Sequence, residues 1–176
     1  MTNKFRLFFA LVPDQAVKRE VHAVQKKLAC NARMIPAEQI HVTLAFLGQQ
    51  SAETVPQLCA MASQLYFEPC KLVLDRLGTF RRVNVLWLGA SEVPTSLRNF
   101  RQALMEGLEK AGIGFDHKAW RPHLTLYRGL RNKAGIMEFD PVVWRLNQFS
   151  LIESINVKCG VEYRRQGHWK SGSSVI

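Results

Sequence analysis

The sequence is poor in acidic residues, poor in cysteine and without a long apolar run, and each shortage removes a class of protein. Asp and Glu number 14 against 24 Lys and Arg, leaving a formal charge of +10. Such an excess favours a polyanionic partner, because basic side chains attract phosphates and release their counterions. Basic charge also serves solubility alone, so its weight depends on agreement with a motif. The four cysteines, Cys30, Cys59, Cys70 and Cys159, include no C-x-x-C spacing. They read as thiols of a reducing compartment, not as a disulfide framework or zinc site. The apolar run near the start stops at Pro13-Asp14, too short to span a bilayer, and no small-residue cleavage site follows it. A soluble cytoplasmic protein with no membrane partner is expected. No Gly/Ser linker or low-complexity stretch divides the 176 residues, so residues 1–176 read as a single domain.

What the chain does hold is one tetrapeptide pattern in two copies, His41-Val42-Thr43-Leu44 and His123-Leu124-Thr125-Leu126. Successive side chains of a strand point to opposite faces. His41 and Thr43 therefore share one face while Ile40, Val42 and Leu44 share the other, and the second copy divides in the same way. The apolar face can pack on a core, leaving an imidazole and a hydroxyl side by side. Histidine, with an unperturbed pKa of about 6.5, is the side chain best placed to act as acid or base near neutrality. A lone His-x-Thr is most often part of an ordinary half-buried strand. Two copies 82 positions apart, close to half the chain, point instead to two similar lobes that each give one strand to a shared site. No H-E-x-x-H, carboxylate cluster or Cys/His grouping accompanies them, so no metal and no other cofactor is expected.

Periodicity predicts a strand over Lys4–Val12 and, after a short segment around Arg33–Ile35 that leads through Pro36, a strand through the first motif that Gly48 ends. It predicts helices after Asp14 to Leu28, over Ser51–Leu65 and over Pro94–Lys110. Further strands are expected over Cys70–Leu77 and Val83–Leu88, joined by a hairpin loop at Gly78–Arg82, then at the second motif. A loop around Arg131–Gly135 precedes strands near Val142–Trp144, Gln148–Val157 and Val161–Arg165. Helices and strands alternating with hairpins give a mixed α/β or α+β class.

The two motifs, together with Arg6-Leu7-Phe8-Phe9-Ala10-Leu11, the continuation Ala45-Phe46-Leu47-Gly48, Arg121-Pro122, Gly129 and Leu151-Ile152-Glu153-Ser154, resemble the two-histidine (2H) phosphoesterases. Within that superfamily the sequence is most similar to the bacterial type of LigT-like RNA 2',3'-cyclic phosphodiesterases, also called 2'-5' RNA ligases. The resemblance implies an α+β, bilobal, pseudo-twofold fold in which two antiparallel sheets flank a central cleft, with helices outside and one motif in each wall. It further implies hydrolysis of RNA 2',3'-cyclic phosphate ends to 2'-phosphate ends, with His41 as proton donor and His123 as proton acceptor. Thr43 and Thr125 would hold non-bridging phosphate oxygens. From the residues alone the two motifs are locally equivalent, and neither histidine is assigned as acid or base. By microscopic reversibility the same site would join such an end to a 5'-hydroxyl. The expected partners are RNA ends or nucleotides with a 2',3'-cyclic phosphate, with the protein a monomer.

Near the second motif, Arg128 is a candidate phosphate contact, a fixed cation with fork-shaped donors. Strand alternation turns it away from His123 unless the strand bends. The same alternation puts Tyr127 on the His123 face, as a candidate for stacking on a base, and points Phe46 into the core. Arg81, Arg82, Arg121, Arg131 and Lys133 are candidates for a basic rim, against the default of solvated surface charge. His22, His117 and His168 lack a threonine at strand spacing and read as structural. Two rival functions remain. A non-catalytic RNA-binding module would not require two titratable groups. A phosphodiesterase acting on another cyclic or 2'-5' nucleotide would carry the same motifs, because they read the phosphate.

Overall fold

The continuous apolar run at the start of the chain becomes a strand covered on both faces, and the rest of the molecule is arranged around it. The computed structural model describes residues 4–28, 30–131, 138–158 and 160–171. Strands β1 (Lys4–Leu11), β3 (Val42–Ser51), β9 (Gln148–Val157) and β10 (Gly160–Lys170) form an antiparallel sheet in the order β10-β9-β1-β3. Strands β2 (Arg33–Met34), β5 (Arg76–Phe80), β6 (Val85–Gly89) and β7 (His123–Arg128) form a second, in the order β2-β7-β6-β5. A two-stranded ribbon pairs β4 (Cys70–Leu74) with β8 (Val142–Leu146). Leu7, Phe9 and Leu11 of β1 enter the main core, while Phe8 and Ala10 on its other face join Ile152 in a small separate cluster. That second face lies toward the cleft, which explains why β1 reads as continuously apolar rather than alternating.

Helices α1 (Gln15–Leu28), α2 (Thr54–Ala62) and α3 (Thr95–Lys110) complete the α+β fold. The Val17 N–H donates to Asp14 Oδ1 at 2.9 Å, so Asp14 caps α1 as its position suggests. The helix then buries Val17, Val21 and Val24, and α3 buries Leu97, Phe100, Leu104 and Leu108, each along one stripe.

Four local expectations are corrected. The predicted strand over Cys70–Leu77 breaks at Asp75, because β4 belongs to the ribbon and β5 to the second sheet. At that corner the Asp75 N–H donates to Gly89 O at 3.0 Å, while the Ser91 N–H donates to the Asp75 carboxylate at 2.7 Å. Gly48 does not end the first motif strand. It takes φ +68° beside an extra residue, Leu47, and β3 continues to Ser51. The helix expected over Ser51–Leu65 is confined to Thr54–Ala62, and the last strand runs on to Lys170. Lys133, Gly135 and Cys159 lie outside the described residues. Among the described residues no helix is long and apolar enough to cross a membrane.

Candidate active site

The repeat extends beyond the tetrapeptides into the backbone. On β3, Thr43 pairs with Ala10 and Ala45 with Phe9, so Leu44 is an extra residue. On β7, Thr125 pairs with Trp87 and Tyr127 with Leu86, so Leu126 is an extra residue at the same step. A bulge of this kind puts two successive side chains on one face and resets the alternation beyond it. Leu44 with Ala45, and Leu126 with Tyr127, all turn into the core. The fifth residue after each histidine then returns to the cleft face, as Phe46 in one lobe and Arg128 in the other.

Three expectations based on strict alternation are thereby overturned. Tyr127 does not share the face of His123: it is 2% exposed, and its hydroxyl donates to Gln25 O at 2.7 Å. It is a core residue and not a stacking platform. Phe46 is half-buried against Phe8, Ala10 and Ile152 on the cleft side. Arg128, which alternation had turned away, lines the cleft beside His123 and Thr125.

Each bulge is held by a long polar side chain from a helix. Gln25 of α1 donates Nε2–H to Leu126 O and to Ile35 O, both at 3.0 Å. Arg101 of α3 donates Nε–H to Leu44 O at 3.0 Å and lies over the Trp120 ring, whose Nε1–H donates to Thr43 O at 2.8 Å. These residues satisfy backbone groups that an irregular ladder leaves open. They also tie the first motif to the segment leading into the second. Their signal in the sequence is one polar residue inside an otherwise apolar helical stripe: Gln25 among Val17, Val21 and Leu28, Arg101 among Leu97, Leu104 and Leu108.

His41, Thr43, His123, Thr125 and Arg128 line one cavity of about 130 Å³, together with Ile35, Gln39 and Tyr163. Alternation and the paired motifs identify the first four. Gln39 and Tyr163 lie outside the motifs and offered no comparable signal. Both histidines are held alike, with Nδ1 2.7 Å from the carbonyl two residues earlier, Gln39 O for His41 and Arg121 O for His123. A carbonyl only accepts, so Nδ1 carries the proton in each ring and Nε2 is the free nitrogen. His41 lies against Phe8 and Tyr163, with ring centroids 4.9 and 5.3 Å away. His123 lies against Phe80 at 4.9 Å and Trp87 at 6.2 Å. The Trp87 indole lies flat across Gly78, where a Cβ would collide with it. A wider surface depression of about 810 Å³, lined by Lys71, Asp75, Glu92 and Arg98 among others, includes no motif residue. The chemistry points to the smaller cavity, where the titratable groups converge.

Burial holds the His41 imidazole at about 4, far below the ordinary histidine value; the Gln39 carbonyl opposes this, and His123 and Arg128 add to it. His123 is lowered too, by burial first and then by Arg121 and Arg128, against its bond to the Arg121 carbonyl. Both rings are thus neutral at neutral pH, and an anionic ligand would draw protons onto them. This has a consequence for stability. Between about 6.5 and 4 the unfolded chain binds a proton at His41 that the folded chain refuses, so the folded state weakens as pH falls through that window. The contribution is on the order of 3 kcal/mol at most. His41→Gln should therefore gain stability relative to wild type when urea denaturation is moved from neutral pH to just above 4. Parallel curves for the two proteins would show that His41 is not held neutral by the fold.

Among the described residues no three His, Cys, Asp or Glu side chains are grouped to hold a metal ion. The cavity offers two imidazoles, two hydroxyls and a fixed cation, a donor set suited to an anion. Over residues 12–157 the sequence matches the 2'-5' RNA ligase superfamily. An RNA 2',3'-cyclic phosphodiesterase of Escherichia coli is 32% identical over 130 residues, 73% of this chain and 74% of the relative. One from Archaeoglobus fulgidus is 28% identical over 138 residues, 76% and 77% of the two chains. The crystal structure of E. coli LigT in apo form superposes with a TM-score of 0.84 at 25% identity, over 97% of this chain and 99% of that one. LigT complexed with 3'-AMP gives the same TM-score and identity, over 97% and 100%. The match along most of the chain, the fold and the paired motifs agree: this chain belongs to the 2'-5' RNA ligase superfamily and has the LigT-like fold.

Proposed function

We propose that the protein hydrolyses RNA 2',3'-cyclic phosphate ends to 2'-phosphate ends by metal-independent acid/base catalysis, with His41 and His123 as the two proton-transfer groups. The observation that carries this reading is the convergence of two imidazoles, each anchored through Nδ1 and free at Nε2, on one small cavity that also holds Thr43, Thr125 and Arg128. The relatives that bear the name RNA 2',3'-cyclic phosphodiesterase support the substrate class. Opening the strained ring requires a base beside the attacking water, an acid beside the leaving oxygen and donors for the other phosphate oxygens. His123 Nε2 accepts the water proton as its oxygen bonds to phosphorus. The bond from phosphorus to the 3' oxygen breaks on the opposite side, and His41 Nε2–H delivers a proton to that oxygen. The hydroxyls of Thr43 and Thr125, with the Arg128 guanidinium, take the charge on the non-bridging oxygens. His41 reaches its acidic form only with the phosphate present, because the anion offsets the burial that keeps the ring neutral.

The same geometry with a 5'-hydroxyl in the place of water joins it to the cyclic phosphate end through a 2'-5' bond, and the 3' oxygen leaves with a proton as before. Water at ~55 M outcompetes a dilute hydroxyl end, so hydrolysis is the ordinary direction. The deciding assay supplies nucleoside 2',3'-cyclic phosphates and an RNA with that end after exhaustive chelation. Full activity with a 2'-phosphate product is expected. Activity lost to chelator and restored by one divalent ion would overturn the mechanism, and a 3'-phosphate product would reverse the choice of leaving oxygen.

A further inference from the structure

A cavity of about 130 Å³ is well below the roughly 300 Å³ at which pockets begin to enclose a drug-sized ligand. It admits the reacting phosphate, and the remainder of any polynucleotide must lie along a wall. The wall on the side of the first sheet has an unusual composition. Register gives its cleft face directly: Phe8 pairs with Ile152, and Ile152 with Arg165. Leu7 pairs with Glu153 and Ser154 with Tyr163, so one further step of the same register sets Arg6 level with Tyr163 across β9. Arg6 and Arg165 are both exposed, and each lies about two strand spacings, about 10 Å, from its counterpart in the row.

The charge on this face is of one sign. The four strands contain two acidic residues, Glu153 and Glu162, and both occupy the alternate positions that point the other way; Glu153 is buried and accepts a bond from Gln166 Nε2 at 2.7 Å. Neither Arg6 nor Arg165 forms an ion pair with a carboxylate among the described residues. Arg6 is not loose, however. Its guanidinium sits 5.1 Å from the centroid of Phe46, the residue that the first bulge returns to the cleft. Tyr163 joins this patch to the catalytic cavity: it lines the cavity, packs edge-on against Phe8 at 5.3 Å, and its phenol feels the positive charge of both Arg128 and Arg6.

We propose that this face is a second phosphate subsite, in which Arg6 and Arg165 hold a phosphodiester of the same RNA strand whose end occupies the cavity. The inference rests on the hydrolytic reading above and adds to it where the strand leading to the reacting end is held. Guanidiniums without a carboxylate partner, set beside aromatic rings, are the combination that tracks a single strand without reading its sequence. A mononucleotide has no second phosphate to place there.

The test compares kcat/KM on a short RNA ending in a 2',3'-cyclic phosphate with kcat/KM on a nucleoside 2',3'-cyclic phosphate, for wild type, R6A/R165A and R6K/R165K. Lys71→Ala, an exposed charge on the ribbon, serves as a control. The double alanine variant should lose about tenfold on the RNA and almost nothing on the mononucleotide. It should also flatten the salt dependence of log kcat/KM on RNA by about 0.7, the loss of one phosphate contact on a single strand. The lysine variant should keep the salt slope. Equal loss on both substrates, no loss on either, or the same loss from Lys71→Ala would overturn the subsite. If wild type hydrolyses neither substrate, the hydrolytic reading fails. Anisotropy with a 3'-phosphorylated RNA then tests the subsite on its own: salt-sensitive binding weakened in R6A/R165A supports it, and unchanged binding removes it.

Discussion

Replacing His41 or His123 by alanine is expected to lower turnover of a 2',3'-cyclic phosphate by roughly 10²-fold or more, since in the proposed mechanism each ring handles a separate proton in one displacement. The double variant should lose less than the product of the two single losses, because a site without its acid gains little from its base. Both variants should remain folded: each ring lies on the cleft side of its strand, outside the hydrophobic core, and removing a neutral imidazole leaves no unpaired charge. The sharper experiment replaces the 3' leaving oxygen with a better leaving group. If His41 is the acid, that substrate rescues His41→Ala far more than His123→Ala. Burial argues the other way at first sight, because it lowers His41 far enough to hold that ring neutral, which suits a base. A bound phosphate would favour the charged form of both rings, so the substrate with the better leaving group decides between the two assignments. Rescue of His123→Ala would show that the roles are exchanged, and wild-type turnover in either variant would remove that ring from the mechanism.

The four motif side chains were legible because alternation is local: nothing between His41 and Thr43, or between His123 and Thr125, interrupts the strand. The bulges come one residue later, at Leu44 and Leu126, and strict alternation misplaces every residue beyond them. It puts Tyr127 and Phe46 on the wrong faces for the same reason and turns Arg128 from the site it lines. A bulge has no glycine or proline signature here. It is fixed by distant partners, Gln25 and Arg101, each from a helix far away in sequence. Tyr163 could not be placed from pattern at all. It reaches His41 because β10 closes the first sheet at its far edge, and that neighbourhood exists only once the sheet is assembled. The split at Asp75 was hidden similarly, since β4 and β5 read as one strand until their partners β8 and β6 are known.

Arg128→Met should cost roughly 10²-fold in kcat/KM and should move the pH profile as well, and the two effects together distinguish a placed cation from a solvated one. The rate falls because a preorganised donor to the developing phosphate charge is removed. The profile moves because the Arg128 charge lowers both His41 and His123. Without it each imidazolium forms more readily, so the limbs of kcat/KM that report the free protein shift to higher pH. Arg128→Lys separates charge from shape. It preserves the cation and so the position of the profile, but it presents a point charge where the fork had two donors, and part of the rate should stay lost. A solvated arginine predicts something else: no change in either variant beyond what added salt produces in wild type. A lowered rate with an unmoved profile in Arg128→Met would mean that the guanidinium binds substrate without acting on the histidines. That outcome would place it farther from the rings than the bulge at Leu126 sets it.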